Sequence, residues 1–227
     1  MPAILDRNPS AKIIVLVRNP LEMVVSYHSQ KVYSFNENEM DFETAWRMSE
    51  LRANGRMVSA DCNSPRYLNY KAIGRLGDQL SRVKATVPEG QLQVIVIDDL
   101  CSDSAAVYQS TLRFLDVPLI DLAEFSVVNA RREHVWPSLA QFLMHPPSLL
   151  SRAERTVKRS FPGLSKATGR AVYGFGQRPK PKGVMCDRLR DEVVEEFRDY
   201  IDLLGRLLKR DLGDWYRDNP SVIRGAA

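Results

Sequence analysis

Arg18 and Ser26 stand eight residues apart in KIIVLVRNPLEMVVSYHSQ (12–30). A guanidinium fork and a hydroxyl together suit a phosphate. Ile13 to Val17 is a short, β-branched apolar run. It reads as a buried parallel strand and is too short to cross a membrane. A helix start follows. Asn19 is a good N-cap, Pro20 suits the first helical position, and Glu22 sits where a capping box places it. Asn19, Met23 and Ser26 then share one helical face. Arg18 therefore leaves the carboxyl end of a strand, and Ser26 lies two turns along the next helix. In open α/β sheets ligands bind at that edge, and helix starts there favour anions. The plainer alternative is an Arg held by a carboxylate and a small Ser packing helix onto sheet.

RNPLEMVVSYHSQ (18–30) resembles the 3′-phosphate-binding segment of sulfotransferases that use 3′-phosphoadenosine 5′-phosphosulfate (PAPS). In that family an Arg closes a strand, x-Pro follows, and a Ser comes eight residues after the Arg with an aromatic residue next. Arg18, Pro20, Ser26 and Tyr27 match. FETAWRMSELRANG (42–55), YKAIGRLGDQL (70–80), QLQVIVIDDL (91–100), RFLDVP (113–118) and DLGDW (211–215) then resemble the bacterial branch of the family in order. The resemblance implies that Arg18 and Ser26 hold the 3′-phosphate of the donor. It further implies that a basic late loop, GQRPKPKG (176–183), closes over the nucleotide through Arg178, Lys180, Lys182 and Gly183. PAPS would be the sulfuryl donor, a hydroxyl or amine of a small molecule or carbohydrate the acceptor, and no metal is expected.

The chain also departs from the family pattern. Family members open on a strand and a Gly-rich loop with Lys or Arg and then Ser or Thr, which cradles the 5′-phosphosulfate much as a P-loop does. MPAILDRNPSA (1–11) contains no Gly. Met23 stands where many members carry a second basic residue. The expected fold is α/β, a P-loop-like, mainly parallel sheet flanked by helices that lacks the first strand and the phosphosulfate loop. The expectation is an N-terminally incomplete sulfotransferase domain over 1–217, weakly active or inactive alone, with a frayed tail over 218–227.

Sulfuryl transfer is helped by a base that takes the acceptor proton. His28 and His134 are the weak candidates; His145, before Pro146-Pro147, reads as a loop residue. Asp98 and Asp99 end a second apolar run, Leu92 to Ile97, where they either contact substrate or cap a turn. Tyr67 and Tyr70 either stack on adenine or pack in the core. Trp46, Trp136 and Trp215 sit on amphipathic segments and read as core or interface residues. Cys62, Cys101 and Cys186 form neither a metal-ligand pattern nor a disulfide framework, which suits reduced thiols and a cytoplasmic location.

Helices are expected over 20–35, 41–54, 66–85, from Asp103 or Ser104 to about 118, and 187–209. Irregular chain is expected over 119–134 and a loop over 161–184. No run is long and apolar enough for a membrane helix. The charge is uneven. Residues 152–190 carry eleven Lys and Arg against Glu154 and Asp187, a local +9 in a chain of net +4. That surplus supports a rival reading as a non-catalytic anion- or nucleic-acid-binding module. Its aromatics are not interleaved with the cations in an RNA-reading pattern, so no specific nucleic-acid partner is expected. A degenerate sulfotransferase-like scaffold is the third alternative. Acceptor identity and oligomeric state are not legible.

Overall fold

A computed structural model describes residues 2–59, 62–122, 125, 132–134, 177–179 and 185–216. The helices are α1 (Pro2–Arg7), α2 (Pro20–Tyr33), α3 (Phe42–Arg47), α4 (Ser49–Ala53), α5 (Tyr70–Gly74), α6 (Leu76–Lys84), α7 (Ile97–Ser102), α8 (Ser104–Leu115) and α9 (Asp187–Leu208). The strands are β1 (Ile13–Val17), β2 (Leu92–Val96), β3 (Arg132–His134) and β4 (Gln177–Pro179). The chain divides into two compact units. The first holds residues 1–26, 69–127 and 185–227, and the second holds 27–68 and 128–184.

In the first unit β1 and β2 pair in parallel, from Ile13 opposite Leu92 to Val17 opposite Val96. Both expected apolar runs are strands, and the α/β expectation holds. Burial is less complete than the sequence suggests. Val17 and Val96, at the carboxyl ends, are buried, whereas Leu16 is 55 % exposed. Adjacent residues of a strand face opposite sides of the sheet. Among the described residues the cover on the Leu16 side is thin: α8 reaches β2 through Gln93 and Ser110, and buries none of its own residues.

Helix α9 supplies the main apolar wall of this unit. Leu189, Val193, Phe197, Ile201 and Leu204 recur at helical spacing and are all buried. They meet α6, and two glycines set how closely. A Cβ on Gly74 would lie 2.0 Å from Phe197 Cζ, and one on Gly77 would lie 2.3 Å from the Tyr200 carbonyl oxygen. That approach explains a departure from the single helix expected over 66–85. The segment is a 3₁₀ turn (Pro65–Leu68), then α5, then α6. Asn69 caps α5 through the Ala72 N–H, and Arg75 breaks the helix at ψ 58°. Arg75 donates to Glu196 of α9 at 2.9 Å.

The second unit is built around Trp46 and Leu68, both fully buried. Asp41 caps α3 as expected, accepting from the Thr44 N–H and hydroxyl at 2.8 Å each. The Thr44 N–H, with its hydroxyl, holds the Asp41 carboxyl below its usual range. The helix expected to run to residue 54 breaks at Met48, whose N–H is shared between the Thr44 and Trp46 carbonyls. Gly55 ends α4 at φ +72°. Arg52 and Glu37 form a buried two-pronged pair, with Nη2 to Oε1 at 2.9 Å. Glu37 also accepts from the Glu39 N–H, so the pair fixes the acidic loop after α2. Strands β3 and β4 form an antiparallel ladder with Glu133 opposite Arg178 and His134 opposite Gln177. This corrects the sequence expectation of irregular chain over 119–134 and a loop over 161–184 at these positions. Short strands without strong alternation leave little signal to read.

Candidate functional site

β1 delivers Arg18 to the carboxyl edge of the parallel pair, and Asn19 starts α2 as expected. Asn19 Oδ1 accepts from the Leu21 N–H at 3.0 Å, and its carbonyl accepts from the Met23 N–H. The other side of the Asn19 amide reaches the far end of the chain, where Nδ2 donates to the Trp215 carbonyl at 3.1 Å. Trp215 is buried, and its indole Nε1 donates to Asp98 at 2.8 Å. Arg210 binds both oxygens of Asp99 at 2.6 and 2.7 Å. Asp98 and Asp99 thus sit in the first turn of α7 and hold the C-terminal turn. Val17 and Val96 are register partners. Both strand ends and the C-terminal turn therefore brace the start of α2. Local sequence marks Trp215 as a core or interface residue and gives no link to Asn19.

Arg18 Nη2 donates to Glu22 Oε2 at 2.7 Å. The sequence suggests a capping role for Glu22; its i, i+4 spacing from Arg18 is the signal for this pair. The Arg18 side chain remains 32 % exposed. Among the described residues its Nε and Nη1 make no hydrogen bond, so one edge of the fork remains a donor. Ser26 lies half-buried on α2, about 9 Å along the axis from Pro20. Its hydroxyl has no hydrogen-bond partner among the described residues. An open guanidinium edge, a hydroxyl and a helix start are each suited to an oxyanion.

His28 is buried; its Nε2 lies 2.9 Å from the Glu39 carbonyl, to which it donates, and its ring lies 5.5 Å from that of Phe42. Tyr70 is fully buried, while Tyr67 is 42 % exposed. His134 and Arg178 occupy neighbouring positions of the β3–β4 ladder, in the second unit. Arg18 and Ser26 belong to the first. Lys180, Lys182, Gly183, Trp136 and His145 lie outside the described residues. Of the cysteines, Cys62 is half-buried and Cys101 and Cys186 are exposed, none of them in a disulfide. No cluster of three or more His, Cys, Asp or Glu able to hold a metal occurs among the described residues. None of the described helices is long and apolar enough to cross a membrane.

Residues 3–135, more than half the chain, match the sulfotransferase domain family. The chain belongs to that family. The matched segment contains both Arg18 and Ser26. The fold agrees: the crystal structure of a sulfotransferase from Alicyclobacillus acidocaldarius superposes with a TM-score of 0.60 at 19 % identity. The alignment covers 94 % of this chain and 61 % of the other, so this sulfotransferase domain spans about three-fifths of that relative's length. No curated protein is detectably similar in sequence.

Proposed function

We propose that the chain carries the donor-binding part of a PAPS-dependent sulfotransferase, moving a sulfuryl group to a hydroxyl or amine of a small molecule or carbohydrate. The observation that carries this reading is the Arg18–Ser26 pair on the β1–α2 junction of a sulfotransferase domain. Arg18 is exposed enough to meet a ligand, and among the described residues one edge of its guanidinium is a free donor. Both side chains fit the 3′-phosphate, a dianionic oxygen cluster that takes charge-assisted bonds from guanidinium and neutral ones from hydroxyl. The chemistry needs positioning and charge stabilisation above all, as in phosphoryl transfer. The burial of His28 and its bond to the Glu39 carbonyl argue against it as the acceptor base. The basic stretch bearing Arg178, Lys180, Lys182 and Gly183 adds positive field for an anionic donor.

Calorimetric titration with adenosine 3′,5′-bisphosphate, the product nucleotide, tests the donor site. Arg18→Ala should weaken binding by roughly 1.5–3 kcal/mol, the worth of a hydrogen bond to a charged group. Ser26→Ala should cost less, about 0.5–1.5 kcal/mol. Affinity unchanged in both variants would overturn the assignment.

A further inference from the structure

One cation of the second unit has an unusual environment. Lys31 Nζ lies 4.7 Å from the centroid of the Tyr27 ring and 4.4 Å from that of Tyr67. Lys31 and Tyr27 are four residues apart on α2, and Tyr67 reaches them from the 3₁₀ turn before α5. Half-buried Lys31 has no carboxylate partner among the described residues. Burial lowers its pKa, and the group that acts in the opposite sense is the Cys62 thiol. That thiol itself donates to the Ser64 carbonyl at 3.1 Å.

Such a position has a physical cost. A partly desolvated ammonium normally takes a counter-ion. Two aromatic faces stabilise the charge, but they offer no oxygen lone pair. The hydrogen-bonding capacity of the ammonium is therefore left over. The Tyr27 hydroxyl brings no negative charge: burial pushes its pKa up to about 12, so its proton stays on at any working pH. Tyr67 leaves the cluster open to solvent on one side. An ammonium without a carboxylate, in an accessible aromatic surround, matches an oxyanion attached to an apolar or aromatic body.

We propose that Lys31, with Tyr27 and Tyr67, forms a subsite for the carboxylate or comparable oxyanion of an acidic acceptor. The inference rests on the sulfotransferase reading only in calling the ligand an acceptor; the subsite itself stands on the Lys31 geometry. The aromatic faces hold the ammonium in place before the ligand arrives, so little side-chain order is lost on binding. Tyr27 directly follows Ser26 in the chain, so the proposed subsite and the donor-binding residues share helix α2.

The test compares 4-hydroxybenzoate with its neutral methyl ester by calorimetric titration of the full chain, with and without saturating adenosine 3′,5′-bisphosphate. The native chain should prefer the acid by about tenfold or more, as a charge-assisted contact requires. Lys31→Met keeps the apolar stem between the rings and should reduce the preference to within about twofold, with bisphosphate affinity and melting temperature unchanged. Lys31→Arg should restore most of it. Equal binding of acid and ester by the native chain, or an undiminished preference in Lys31→Met, overturns the proposal. Bisphosphate that fails to bind at all counts against the donor site instead, and the nucleotide-free comparison still reads Lys31.

Discussion

At the scale of single residues, Glu22 would compete for Arg18 with the nucleotide phosphate proposed to bind there. The pair is partly exposed on both sides, at 32 % and 24 %. An ion pair in that setting is worth little, about 0–1 kcal/mol. Glu22 does two things of opposite sign. It orients the guanidinium, and it places a negative charge beside the position proposed for a dianion. Repulsion should prevail, because the helix start and strand end already fix the Arg18 backbone. Glu22→Gln keeps a hydrogen-bond acceptor and removes the charge. It should tighten adenosine 3′,5′-bisphosphate binding about two- to fivefold, the equivalent of up to ~1 kcal/mol. A clear weakening in the same titration would mean that Glu22 serves mainly to aim the arginine.

The elements show what is legible in the sequence. Strands β1 and β2 are readable because β-branched runs end in strong punctuation, Arg-Asn-Pro after one and Asp-Asp after the other. The α2, α3 and α8 starts are readable because Asn19, Asp41 and Asp103 are capping residues, and each accepts from a helical N–H. The breaks at Met48 and Arg75 are not, since tertiary approach causes the second and a shared carbonyl pair marks the first. Gly74 and Gly77 lie in a stretch whose apolar periodicity continues across the break. Only the partner helix reveals why both lack a side chain. Gly77→Ala would press a methyl against the Tyr200 carbonyl, which a backbone cannot move cheaply. The cost should be about 1–3 kcal/mol, typical of overpacking, and should appear as a lowered denaturant midpoint at unchanged slope. An alanine variant as stable as the native chain would show that α6 and α9 separate freely.

For the whole molecule, the proposed site is legible in part for a similar reason. Arg18 and Ser26 sit within one short segment, so local spacing is enough to propose them. Lys31 depends on Tyr67, thirty-six residues further along, and Asn19 depends on Trp215 near the other end of the chain; no local rule joins them. Charge, by contrast, is read directly from composition, and it separates the two broad functional readings. A surplus of +9 over residues 152–190 attracts any polyanion. Contacts of that kind release counterions and weaken steeply with salt: six to ten phosphate contacts lose ~10³–10⁵ in affinity between about 50 and 200 mM. A bisphosphate held by Arg18 and Ser26, as proposed, would use few charges at a partly sheltered position, so its salt dependence should be much shallower. Single-stranded RNA should therefore bind at low salt without sequence preference and be lost by about 200 mM, while the bisphosphate remains bound with less than about tenfold weakening. RNA binding that survives that salt and discriminates sequence would favour a nucleic-acid module. Loss of both ligands in parallel would show that diffuse attraction, and no built phosphate site, holds the nucleotide.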